Sequence, residues 1–172
     1  MSSELLLQAE SFATPIGVML VLTDEAGALR AADWEDYEAR MHRLLRLQYP
    51  GVGAHLVART RPSDARRGLE SYFEGDLAAI DRIETRTGGT AFQREVWTAL
   101  RGIAAGTTTT YGALAAGIGR PEAPRAVGLA NGSNPIGVVV PCHRVIGANG
   151  ALTGYGGGMQ RKRWLLSHEG VD

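Results

Sequence analysis

The chain of 172 residues contains a single cysteine, Cys142. One thiol cannot close an internal disulfide, and it cannot supply a cysteine-rich metal cage. No apolar stretch approaches the roughly 18 residues of a membrane span. The N-terminus, MSSELLLQAE, has only a three-leucine run and carries Glu4 and Glu10, so the basic and apolar regions of a secretory signal are missing. The reading that follows is a cytoplasmic protein in which the thiol stays reduced. Net charge is absent as well: 18 basic side chains face 18 acidic ones, a balance that argues at first against a polyanion partner.

The distribution of charge reverses that impression. Residues 1–87 hold ten basic and fourteen acidic side chains, a net −4, while residues 88–172 hold eight and four, a net +4. An acidic half joined to a basic half points to a polyanion site on the second, with an ordinary solvated surface as the alternative. Hydrophobic content of 44% and charged content of 21% fit a globular protein.

The break falls near Arg86-Thr87-Gly88-Gly89-Thr90, giving domains 1–87 and 88–172. In the first, Glu4–Phe12, Ile16–Thr23 and Leu29–Trp34 read as strands, with turns at Thr14-Pro15 and Glu25-Ala26-Gly27. Asp36–Tyr49 has helical spacing, Tyr37, Met41, Leu44 and Leu45 sharing a face, and Pro50-Gly51 ends it. A second helix over Asp64–Phe73 has Ser63 as its N-cap and Gly75 as its stop. This half carries no reactive constellation and reads as a scaffold of three strands and two helices.

In the second half Thr90 caps a helix over Ala91–Ile103, with Phe92, Val96, Trp97 and Leu100 as its core stripe. A short helix over Thr110–Ala116 stops at Gly117-Ile118-Gly119. Another over Arg125–Asn131 begins at Pro124, and the pair suggests a helix-turn-helix. Ile136–Val140, between Pro135 and Pro141, reads as a short buried strand that stops just before Cys142. Asn149-Gly150 marks a tight turn, Gly154–Gly158 a glycine loop, and Arg161–His168 a last helix. The fold class is mixed, α/β in the α+β sense. A sheet-plus-helix domain precedes a mostly helical one. Cys142 itself, beside His143, is either a small buried apolar group or a reactive thiol.

Several separate motifs of the second half, in this order, are those of a known family. They are Phe92-Gln93-Arg94-Glu95-Val96-Trp97, Thr110-Tyr111-Gly112, Arg125-Ala126-Val127-Gly128, Asn134-Pro135, Pro141-Cys142-His143-Arg144-Val145 and Gly154-Tyr155-Gly156-Gly157. The chain thereby resembles the O6-alkylguanine-DNA alkyltransferases, in their bacterial form. The first half resembles that family more loosely, through Thr14-Pro15-Ile16-Gly17 and Tyr72-Phe73-Glu74-Gly75. The resemblance implies a winged helix-turn-helix, with double-stranded DNA containing O6-alkylguanine as partner. It implies direct repair by irreversible, single-use transfer of the alkyl group to Cys142 after the base is flipped out.

By the same resemblance, His143 is the general base and Glu169 the carboxylate that orients it. Tyr111 donates a hydrogen bond to the departing guanine. Arg125 fills the gap left by the extruded base, since the target atom cannot be reached inside the stack. Asn134 is a hinge between the helix-turn-helix and the cysteine. Val145, Tyr155 and Gly156 form the base pocket, with Lys162 nearby. Small residues on or after the recognition helix, Ala126, Ala130, Asn131 and Gly132, let it approach the minor groove, where sequence readout is poor. Strand alternation places Cys142 and His143 on opposite faces, so the base is expected to act through a water.

Two positions depart from the family pattern. Pro124 stands where a small alanine is usual, and Gly156 where some members have serine, which predicts tolerance of bulkier alkyl groups. Some members bind zinc through N-terminal cysteines. None are present here, and His42 and His55 are isolated, so no metal and no cofactor is expected. A monomer is expected, with clustering on DNA and action on O4-alkylthymine left open. Two other readings stand beside this one: a Cys-His hydrolase, and a lesion-binding module of the alkyltransferase-like kind, which would lack the acceptor cysteine.

Overall fold

A computed structural model describes residues 4–152 and 154–171. The chain divides into two compact units. The first comprises 4–89 together with Pro135–Val139; the second comprises 90–134 and 140–171.

The first unit is built on a four-stranded sheet of order β3-β2-β1-β4. β1 (Glu4–Thr14) and β2 (Gly17–Thr23) form an antiparallel hairpin, and β3 (Leu29–Trp34) continues it antiparallel to β2. At the hairpin, the Thr14 hydroxyl donates to the Gly17 carbonyl at 2.6 Å and accepts from the Ile16 N–H at 3.1 Å. Alternation sorts the side chains. Leu7 and Leu22 lie on the face covered by α1 (Glu38–Gln48), where Met41 and Leu45 complete a core cluster with Ala31. α2 (Asp64–Phe73) lies by Phe12 on the other face, its Ser63 hydroxyl capping the Arg66 N–H as the sequence predicts. The buried Asp24 carboxylate pins the β2–β3 connection by accepting from the N–H groups of Ala26 and Ala28 and from Arg30.

The scaffold has a strand more than the three expected. β4 (Gly53–Ala58) pairs parallel to β1, the connection passing through α1, and every residue of it is exposed. A 3-10 segment, Leu77–Arg82, follows α2 and buries Ala79 and Ile80.

The expected strand Ile136–Val140 does not form. Ile136 makes an isolated bridge to Ala32, and 137–139 turn. Ala32 donates to the Pro135 carbonyl at 3.0 Å, and Gly137 donates back to the Ala32 carbonyl at 2.9 Å. Val138, wholly buried, sits at φ 70°, the one non-glycine residue at positive φ among those described. A β-branched residue there is strained and ends any ladder. The apolar run that suggested a strand is buried coil.

In the second unit α3 (Ala91–Arg101) opens with a reciprocal capping box between Thr90 and Gln93 and buries Val96, Trp97 and Leu100. The Trp97 indole N–H donates to the Ala130 carbonyl at 2.9 Å, fixing α3 against α5 (Pro124–Gly132). α4 (Tyr111–Gly117) follows directly on β5 (Thr109–Thr110), whose parallel partner is β6 (Val145–Ile146). α4 ends in a Schellman motif: Arg120 N–H to Ala115 carbonyl, Gly119 N–H to Ala116 carbonyl, and Gly119 at φ 78°. α4 and α5 are the two short helices expected here, in the expected order. α6 (Met159–His168) closes the unit.

Candidate active site

Cys142–Arg144 form a 3-10 turn rather than the end of a strand. The alternation argument therefore does not apply. With three residues per turn, successive side chains leave the axis about 120° apart. The turn is held by Cys142 N–H to the Val140 carbonyl at 2.8 Å and Arg144 N–H to the Pro141 carbonyl at 3.0 Å. The Asn134 amide donates to the same Val140 carbonyl at 2.7 Å, closing the loop that leads into Cys142.

His143, Arg144 and Glu169 meet in the interior, each nearly or wholly buried. His143 Nε2 lies 2.9 Å from Glu169 Oε2. Arg144 grips both oxygens of that carboxylate, Nε to Oε1 at 2.9 Å and a terminal nitrogen to Oε2 at 2.8 Å, and its other terminal nitrogen donates to the Ile103 carbonyl at 2.5 Å. Glu169 is the C-cap of α6. A carboxylate there opposes the helix dipole and gains nothing from the helix, so its partners must hold it.

This geometry fixes the tautomer. Glu169, ionised against Arg144, can only accept, so His143 Nε2 carries the hydrogen and Nδ1 holds the lone pair. Nδ1 is buried and has no hydrogen-bond partner among the described residues. Burial is the main force pushing the His143 pKa below its usual value. The Glu169 hydrogen bond and charge oppose it, and the charges of Arg144 and Lys162 add to the lowering. The ring is held neutral, in its basic form.

A lowered pKa makes stability pH-dependent. The unfolded chain takes up a proton on this histidine near pH 6.5, while the folded chain resists until lower pH. The contribution of His143 is complete above about pH 6.5 and is lost as pH falls toward the depressed folded value. The melting temperature of the protein is expected to drop as the pH falls below about 6.5, and a His143→Phe variant to show a shallower drop.

Lys162 is buried on α6 and donates to the Val145 carbonyl at 2.7 Å and, more weakly, to that of Gly154 at 3.4 Å. Burial lowers its pKa, and the charge of Cys142 works the other way. Lys162 thus ties β6 to the glycine loop that carries Tyr155 and Gly156. Val145 is wholly buried, Tyr155 half-buried and Gly156 exposed.

The half-buried Tyr111 opens α4, and its ring lies beside Gly128 of α5, where an added Cβ would stand 3.7 Å from it. Arg125 is exposed in the first turn of α5 and makes no ion pair or side-chain hydrogen bond among the described residues. The four small residues do not share a face. Ala126 and Gly132 are exposed, but Ala130 and Asn131 are buried beside Val127. Helical periodicity explains this: 127, 130 and 131 are spaced three and four apart and turn inward together. Leu129 takes their place on the outer face.

Two residues escape the sequence reading. Arg144 was legible only as part of a motif, although a guanidinium inside the run from Val138 to Ile146 must find a carboxylate. Gly106 has φ 84°, and a Cβ on it would stand 3.1 Å from the Glu169 carbonyl oxygen. Both the backbone angle and the close approach demand glycine. Gly106→Ala is expected to cost about 1–3 kcal/mol, read as a lower melting temperature, and to slow any chemistry that relies on Glu169.

The model of the 6-O-methylguanine DNA methyltransferase DNA binding domain matches residues 91–171. A methylated-DNA–protein-cysteine methyltransferase of Salmonella typhimurium is 57% identical over 164 residues, 95% of this chain and 96% of that protein. One from Methanosarcina acetivorans is 45% identical over 92% of this chain and 96% of its own length. Among solved structures, that of Mycobacterium tuberculosis OGT in complex with DNA superposes with a TM-score of 0.74 at 40% identity, covering 95% of this chain and 92% of that one. With 57% identity sustained over 95% of its length, the chain belongs to the methylated-DNA–protein-cysteine methyltransferase family.

Proposed function

We propose that this direct-reversal DNA-repair methyltransferase takes the alkyl group of O6-alkylguanine in duplex DNA onto Cys142, once per molecule. The observation that carries the assignment is the buried His143–Glu169–Arg144 cluster beside the only thiol, with His143 Nδ1 left as a bare, buried acceptor. The Cys142 proton passes through a water to Nδ1. The thiolate sulfur attacks the alkyl carbon in line with the C–O bond, which breaks with its electron pair on O6. The Tyr111 hydroxyl donates to guanine N3 and receives its proton back from the imidazolium, so guanine leaves neutral. Sulfur gains a stable thioether and nothing in the cluster removes it. Residues 1–87 act as scaffold and 88–172 as the acting domain. The DNA-facing surface is α5, with Arg125 entering the space vacated by the flipped base. Asn134 fixes the lead-in to Cys142, and Val145, Tyr155 and Gly156 shape the pocket near Lys162. The protein acts as a cytoplasmic monomer on the nucleoid, without cofactor.

The test is an intact-mass measurement after incubation with an O6-methylguanine duplex. One added methyl, at a stoichiometric plateau, is expected. Repeated turnover would indicate hydrolysis, and lesion binding without a mass change would indicate a recognition module; either overturns the proposal.

A further inference from the structure

Leu129 is the most exposed large hydrophobic residue among those described, at 72%, ahead of Leu47 at 65%. It stands on the outer face of α5, four residues after Arg125 and therefore on the same side of the helix. Its neighbours on that face are small. Ala126 and Gly132 are exposed, and a Cβ added to Gly132 would meet nothing within 4 Å. Leu129 is thus an exposed apolar side chain among small residues, beside an arginine that makes no ion pair among the described residues, and α5 lies inside the region matched by the family's DNA binding domain.

We propose that Leu129 is an apolar wedge that enters the minor groove beside Arg125 and holds the duplex open while the damaged base is out. This rests on the reading of α5 as the DNA-facing helix. Four residues advance about 6 Å along a helix axis. Base pairs repeat about every 3.4 Å, so with α5 laid along the groove Leu129 meets a base step within two of the gap that Arg125 fills. Apolar side chains inserted between steps unstack them and kink the duplex away from the protein. Leucine has no polar group to read a base edge, so the wedge adds to extrusion without adding sequence preference. The two residues divide the work: Arg125 occupies the gap, and Leu129 prevents the adjacent step from closing over it.

The experiment compares single-turnover methyl transfer from O6-methylguanine in a duplex with transfer from the same lesion in a single strand, for the unaltered protein, Leu129→Ala and Leu129→Met. The ratio of duplex to single-strand rate is expected to fall about tenfold in Leu129→Ala and to be largely restored in Leu129→Met. An unchanged ratio in Leu129→Ala overturns the wedge, as does an equal loss on both substrates. If the unaltered protein transfers from neither, the reading of the active site fails instead. The exposed position makes a folding defect easy to exclude by matching melting temperatures.

Discussion

Cys142→Ser abolishes methyl transfer while leaving the damaged duplex bound. A cysteine is a few per cent thiolate at neutral pH even when unassisted, whereas a serine hydroxyl is essentially never ionised, so the rate is expected to fall on the order of 10³-fold or more. Serine matches the cysteine in shape, and the backbone bonds that hold the turn at Val140 and Pro141 do not involve the sulfur. The loss therefore belongs to the nucleophile rather than to the fold. Intact mass and a gel-shift with an O6-methylguanine duplex read the two halves of the result. Persistence of transfer in this variant would remove Cys142 from its assigned role.

Arg144→Ala is expected to be the most destabilising single truncation in the second unit, by about 3–5 kcal/mol. It removes the guanidinium that grips both oxygens of the buried Glu169 carboxylate, and it frees the Ile103 carbonyl. Total stabilities of about 5–15 kcal/mol make this a large share. Equilibrium urea unfolding measures it. Arg144→Lys is not expected to recover the loss, because a lysine cannot reproduce the two parallel bonds to one carboxylate. A loss under about 1 kcal/mol would mean that the carboxylate finds water instead. The same variant releases His143 from its fixed tautomer, so transfer in the surviving folded fraction falls too.

Most elements were legible because their signals are local. Ser63, Thr90 and Pro124 each announce a helix start, and the alternation in β1, β2 and β3 leaves one face for α1. β4 escaped because it is an exposed edge strand, so no inward alternation marks it, and its parallel pairing to β1 is a tertiary fact. The run 136–140 misled for the opposite reason. Burial and composition matched a strand, but Gly137 and the strained Val138 turn the chain, and its polar groups are met by Ala32. Around the site, a motif held His143 and the family resemblance supplied Glu169, whereas their union through Arg144, and the demand for glycine at 106, depend on residues distant in sequence. The inward turn of Ala130 and Asn131 was readable from spacing alone, had the helix been phased on Val127.

The path of the chain through Pro135–Val139 bears on how such a protein could be divided. The matched region, 91–171, looks like an excisable module. Yet those five residues belong with the first unit, so the backbone passes between the two units three times and neither is a continuous length of chain. A fragment beginning at residue 90 would carry Pro135 and Gly137 with their partner Ala32 gone, seven and five residues ahead of the thiol. Inheritance of the second half by itself, through gene fusion or loss, would therefore require this short insert to be rewritten before the cysteine could be presented as it is here.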